Sequence, residues 1–154
     1  MSQEQRSDDA IELDTSLGYL LKEAATALRG AMEDVLRPLG MTITHYSCLE
    51  LLAQRPGLSN SELARGTFVT RQSMNVLLQA LERAGEVERA SEATVGRALP
   101  TTLTPRGRER LGRASTAVRG VERRMLHDLT APEQAEALRL LRSMVTSLRG
   151  PSGD

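Results

Sequence analysis

Aromatic residues are nearly missing from this chain: of 154 residues two are Tyr, one is Phe and none is Trp. Leu, Ala, Val and Met must therefore build the core, which favours helix packed on helix. A single cysteine, Cys48, permits no disulfide framework, so a reducing cytoplasm is the expected location. The two histidines, His45 and His127, lack the Cys, Asp or Glu spacing of a zinc site, so no metal and no other cofactor is expected. No run of about twenty apolar residues is present, which excludes a membrane span. The polar, acidic N-terminus lacks the apolar segment of a signal peptide. No Gly-rich phosphate loop, Gly-x-Ser-x-Gly elbow or His-Glu-x-x-His motif appears, so no catalytic constellation is visible. The length is that of one domain.

Net charge is zero as well, but it is unevenly spread. Residues 1–54 hold 4 basic and 9 acidic groups, net −5; residues 55–113 hold 10 and 6, net +4; residues 114–154 hold 6 and 5, net +1. The basic excess falls on residues 55–113, which enclose the stretch with the clearest motifs, Ser59 to Gly107.

Ser59 and Glu62 form a capping-box pair that starts a short helix with Leu63 and Ala64 on its apolar side. Thr67-Phe68-Val69 leaves room only for a tight turn. A second helix then begins near Thr70, with Met74, Leu77, Leu78 and Leu81 as its apolar face, and Gly85 ends it. A short helix, a tight turn and a longer helix make a helix-turn-helix, whose second helix can enter a DNA major groove. The polar side of that helix shows Thr70, Arg71, Gln72, Ser73, Asn75 and Gln79, with Ser59 and Asn60 at the start of the preceding helix. Arg pairs bidentately with guanine, Asn and Gln with adenine, and hydroxyls suit phosphate or base. An ordinary solvated face would carry Glu and Lys instead.

Past Gly85, Val87–Arg89 predicts a short strand, Ser91–Gly96 a loop and Arg97–Leu103 a returning strand. Pro100 has no N–H to give a ladder, so this strand is expected at a sheet edge. A helix-turn-helix followed by a hairpin is a winged helix, and Arg97 is the basic residue at the tip of the wing, suited to the minor groove.

At this point the chain resembles the multiple-antibiotic-resistance regulator (MarR) family of dimeric transcription factors. The likeness is carried by Ser-Glu-Leu-Ala at 61–64, Val-Thr-Arg-Gln-Ser-Met-Asn at 69–75, Leu-Glu-Arg-Ala-Gly at 81–85, Gly-Arg at 96–97 and Leu-Thr-Pro-Arg-Gly at 103–107. It covers nearly the whole chain. One departure stands out: where the family usually has an Asp two residues before its wing Arg, helping to fix the wing, this sequence has Val95.

The flanking segments read as helices. Asp14 is the expected N-cap of a long first helix with Leu17, Leu20, Leu21, Ala24, Leu28, Ala31 and Val35 at spacings of three and four. Pro38 and Gly40 close it, and Thr42 opens a helix with Ile43, Tyr46, Leu49, Leu51 and Leu52 as apolar positions. After the wing, Thr104 caps a helix with Pro105 at its first position and a stripe of Leu111, Ala114, Val118, Val121 and Met125. Thr130 and Glu133 form another capping box, starting a last helix with Leu138, Leu141, Val145 and Leu148 on one face. The expected architecture is mainly α with a small β-hairpin wing. Residues 1–13 are expected to be a disordered or frayed N-terminus, 14–40 and 104–149 dimerisation helices, and 41–103 the winged helix-turn-helix DNA-binding region of one integrated domain. One winged helix cannot cover all these stripes, so a two-fold dimer is expected, which is also what the resemblance implies. Such a dimer suits double-stranded DNA with a palindromic operator.

The resemblance also implies a small anionic or aromatic, for instance phenolic, ligand between the dimer helices and the winged helix. Tyr19, Arg29, Met32, His45 and Tyr46 are candidates to line its cleft, weighed against ordinary packing. The function read from the sequence is thus a DNA-binding regulator, a repressor released by a small ligand. Alternatives are a redox-sensing regulator using Cys48, against which stands a buried inert thiol, and a winged helix used as a protein-interaction module. An enzyme would need the winged helix to serve a second domain, as in some methyltransferases, and the length leaves no room for one.

Overall fold

The first long helix starts two residues later than expected, on Ser16 rather than Asp14. Asp14 lies inside a single 3-10 turn, Leu13–Thr15, which the Ser16 N–H closes onto the Leu13 carbonyl. That turn leaves Ser16 with extended backbone, and its hydroxyl accepts from the Tyr19 N–H at 3.2 Å. Helix α1 then runs Leu17–Leu36. This computed structural model describes residues 10–90 and 99–150. The chain divides into two compact units, Met1–Val121 and Glu122–Asp154.

In the first unit, α1 buries only Leu36, with Met32 and Val35 partly buried against the core. The chain reverses through a 3-10 turn, Arg37–Leu39, and Gly40 in the left-handed region at φ 68°. Thr42 then caps α2, Ile43–Gln54, its hydroxyl accepting from the His45 N–H at 3.1 Å. Leu49 and Leu52 are fully buried as their spacing predicts, and Cys48 joins them, while Ile43, Tyr46 and Leu51 pack at the margin of the core. Helix α3, Asn60–Thr67, and helix α4, Arg71–Arg83, close over this layer with Leu63, Met74, Leu78 and Leu81. The contact is tight enough that a Cβ on Gly66 would come 2.6 Å from Leu51 Cδ1.

Strands β1, Val87–Arg89, and β2, Thr101–Leu103, pair antiparallel with Val87 opposite Leu103 and Arg89 opposite Thr101. Val87 and Leu103 turn inward and finish the core. Two points differ from the sequence expectation. Pro100 precedes β2 and offers the ladder only its carbonyl, which accepts from the Ala90 N–H at 3.0 Å. Nor is β2 an edge at Thr101, because its N–H donates to the Leu58 carbonyl at 3.0 Å and its carbonyl accepts from the Gly57 N–H at 2.9 Å. Without an N–H of its own, Pro100 cannot donate to this two-sided pairing, and the strand starts one residue later. Arg97 and Val95, and with them the expected tip of the wing, lie outside the described residues.

Helix α5 runs Pro105–Met125. The Thr104 hydroxyl accepts from the Gly107 N–H at 3.1 Å and donates to the Gly85 carbonyl at 2.5 Å, which ties the helix start to the end of α4. Gly107, Leu111, Ala114 and Val121 are its buried positions. The second unit contains α6, Ala131–Arg149, which opens with the predicted capping box between Thr130 and Glu133. None of its residues is buried, and Leu138, Leu141, Val145 and Leu148 are exposed.

Candidate nucleic-acid interface

The interface is set by how α3 hands over to α4. The Ser59 hydroxyl accepts from the Glu62 N–H at 3.2 Å, and the Ser59 N–H reaches back to Glu62 Oε1 at 3.4 Å. Two otherwise orphaned donors are satisfied together, and Ser59 is buried in doing so. At the other end Phe68 adopts the left-handed conformation, φ 61° and ψ 37°. Its N–H donates to the Arg65 carbonyl at 3.3 Å and the Val69 N–H to the Ala64 carbonyl at 3.0 Å. This Schellman closure ends a helix within two residues. Phe68 is the one non-glycine with positive φ among the described residues, an arrangement that costs roughly 1–2 kcal/mol for a side chain with a Cβ.

Thr70 caps α4: its hydroxyl accepts from the Ser73 N–H at 3.0 Å and donates to Ser73 Oγ at 2.9 Å. Asn60 Nδ2 donates to the Arg71 carbonyl at 3.1 Å, pinning the first residue of α4 to the start of α3. Ser59 and Asn60 thus serve to position the helix pair, while Thr70, Arg71, Gln72, Ser73 and Gln79 are exposed together on α4. Asn75 is half-buried, and its Oδ1 accepts from Arg89 Nη1 at 3.2 Å, with Arg89 Nε turned to Glu82. Its amide NH2 remains available for an acceptor on a base or phosphate.

Two features of this surface escaped the sequence reading. Arg89 links the recognition helix to β1, a contact between residues fourteen apart that no local pattern announces. Val76 is 60% exposed on the same side as Gln72 and Gln79, although a valine in a helix ordinarily reads as core. Its signal is positional, since it falls four residues after Gln72 and opposite the buried stripe.

The expected ligand residues are only partly brought together. A cleft of about 390 Å³ between α1, α2 and the helix-turn-helix turn is lined by Arg29 and Met32 together with Leu28, Ile43, Thr44 and Phe68. Tyr19 is exposed near the start of α1 and is not in that lining. Tyr46 faces α5 instead: its hydroxyl lies 3.5 Å from Glu50 Oε2, which also accepts from Ser115 at 3.2 Å. Burial and the Glu50 charge raise its pKa.

His45 turns away from the cleft toward a buried carboxylate. Glu86 is 1% exposed, with Oε1 at 3.4 Å from His45 Nε2 and Oε2 at 3.3 Å from Arg110 Nη1. Arg110 Nη2 also donates to the carbonyls of Leu39 and Gly40 at 3.1 Å each. One polar cluster therefore joins α2, the residue before β1, α5 and the turn after α1. Desolvation lowers the His45 pKa below its usual 6.5, against the pull of Glu86.

Cys48 is wholly buried, 3.9 Å from Met74 Sδ, and burial pushes its thiol up to about 12. A redox sensor needs a thiolate, and this site suppresses one.

Comparison with known proteins agrees with this geometry. A profile described as MarR family matches residues 39–98. The HTH-type transcriptional repressor Rv2887 of Mycobacterium tuberculosis is 47% identical over 131 residues, which cover 85% of this chain and 94% of that protein. The crystal structure of the MarR family protein Rv2887 in complex with DNA superposes with a TM-score of 0.70 at 44% identity, covering 86% of this chain and 99% of that one. Its complex with salicylic acid gives 0.69 at 46% identity, covering 90% and 98%. A helix-turn-helix with a polar outer face, a paired wing base, and this similarity over most of its length together place the chain in the MarR family of DNA-binding transcriptional regulators.

Proposed function

We propose that the protein is a homodimeric repressor that holds a palindromic operator and is released by a small aromatic carboxylate. The observation that carries the DNA reading is the outer face of α4, where Arg71, Gln72, Ser73 and Gln79 are exposed together at the end of a rigidly capped turn. These are side chains that read base edges, on the helix that enters the groove in this motif. The relative crystallised with DNA supports the same use. Arg97 would add a minor-groove contact from the wing.

Dimerisation is supported by apolar surface left uncovered in each unit. Leu17, Tyr19 and Leu20 are exposed on α1, as are Leu138, Leu141, Val145 and Leu148 on α6. Stripes of this kind mark contact surfaces. Two recognition helices related by a two-fold axis fit half-sites about 34–36 Å apart. Among the described residues no helix is long and apolar enough to cross a membrane, and a reducing cytoplasm suits a lone thiol.

For the effector, the cleft beside the turn offers apolar walls from Leu28, Met32, Ile43 and Phe68 and a cation in Arg29, which now pairs with Glu33 at 3.2 Å. A benzoate-like ligand matches that chemistry, and the relative crystallised with salicylic acid points to the same class. Because Phe68 and Val69 belong to the turn that aims α4, an occupant would act on the angle of the recognition helix.

Selection of bound duplexes from a random pool, followed by sedimentation of the complex with and without salicylate, tests this reading. It expects a palindromic motif, two chains per duplex and weaker binding with ligand. Retention of the duplex at saturating salicylate overturns the release step, and one chain per duplex overturns the dimer.

A further inference from the structure

Helix α4 has two unlike faces. Met74, Leu78 and Leu81 are buried in the core, and opposite them Gln72, Val76, Gln79 and Arg83 succeed one another at spacings of three and four, all exposed. Val76 lies in the middle of this row with 60% of its surface exposed, and it is not part of the hydrophobic core cluster. For helix stability valine is a poor choice there, since β-branching restricts χ1 and exposed methyl groups bury nothing. Its neighbours one turn to either side, Gln72 and Gln79, suit the polar edges of bases. Neither recognises the one apolar feature of the major groove, the C5-methyl of thymine. A small, rigid, apolar side chain flanked by amides complements that methyl and repels the polar edge of cytosine.

We propose that Val76 is a specificity-determining residue that packs on the C5-methyl group of a thymine in each operator half-site. The inference rests on the reading of α4 as the helix that enters the major groove. It adds a chemical constraint on the operator: a thymine at the position met by the second turn of α4, next to the bases met by Gln72 and Gln79.

The test uses the full chain and the duplex it selects from an unmodified random pool. Each thymine is replaced in turn by deoxyuridine, which removes the methyl and leaves every hydrogen-bonding group in place. One position per half-site should lose about fourfold in affinity, the effect of one methyl group left unburied. Val76→Ala should bind the thymine duplex about fourfold more weakly and no longer distinguish it from the deoxyuridine duplex. Val76→Ile should keep the distinction. Because the residue is exposed, thermal unfolding of both variants should match the parent, which separates lost contact from lost fold. Tight binding of the selected duplex with no sensitive thymine overturns the proposal while leaving the DNA reading intact, as does a Val76→Ala protein that still distinguishes the two bases. Failure to bind any duplex overturns both.

Discussion

The Asn75 amide oxygen accepts a hydrogen bond from the Arg89 guanidinium at 3.2 Å, so the recognition helix and the first wing strand share a side-chain contact. Glu82 holds the same guanidinium through Nε. Asn75 therefore has a structural duty beside its expected one at the bases, and the two residues act as a unit. Changing either to Ala should weaken DNA binding, and changing both should weaken it by less than the sum. A double-mutant cycle on operator affinity is expected to give a coupling of about 0.5–3 kcal/mol. Strict additivity would mean that Asn75 meets DNA independently of the wing.

At Gly107 α5 passes close to the wing base. A Cβ there would lie 2.1 Å from the Glu86 carbonyl oxygen and 3.3 Å from Leu103 Cδ2. The carbonyl cannot easily yield, because it accepts from the Thr104 N–H at 3.0 Å. Gly107→Ala is expected to destabilise the fold by about 1–3 kcal/mol or more, despite the better helix propensity of Ala. Urea unfolding reads this directly, and a stability equal to the parent would show that the backbones are further apart.

Stability should fall in mild acid through His45. Burial lowers its folded pKa below 6.5, with Glu86 and Arg110 as the facing charges. A histidine with a lowered folded pKa leaves stability intact above about pH 6.5. As pH falls the unfolded chain takes up the proton first, so stability is lost progressively toward the folded pKa. Urea midpoints between pH 8 and pH 5 should show this decline, and His45→Gln should flatten it. An identical decline in the variant would assign it to other groups.

The Thr101 hydroxyl is fully buried without a hydrogen-bond partner, while its backbone N–H and carbonyl are both paired. Replacing it with the isosteric valine removes an unmet polar group and keeps the shape. Thr101→Val is expected to be neutral or stabilising by up to about 1 kcal/mol in thermal unfolding. A loss of similar size would reveal a partner for the hydroxyl in solution.

What the sequence determined by itself is what depends on residues within about one helical turn of each other. The capping boxes at Ser59–Glu62 and Thr130–Glu133, the Thr42, Thr70 and Thr104 caps, and the apolar spacing of α2 and α4 all appear where the pattern puts them. Their partners are three or four residues apart, so nothing distant has to be known. The polar outer face of α4 was legible for the same reason, because the buried stripe defines its complement. The choice of Ser16 over Asp14 was not, since both residues can cap and an intervening 3-10 turn decided between them. Tertiary structure alone decided the rest. His45 looked like a pocket residue until folding brought Glu86, forty-one positions away, within 3.4 Å of it. Pro100 suggested an edge strand until Leu58 arrived on the far side of Thr101. Asn75 gained Arg89, and Ser59 was drawn into the interior. Each of these outcomes depends on which distant group occupies the space beside a side chain, and helical or strand periodicity carries no information about that neighbour.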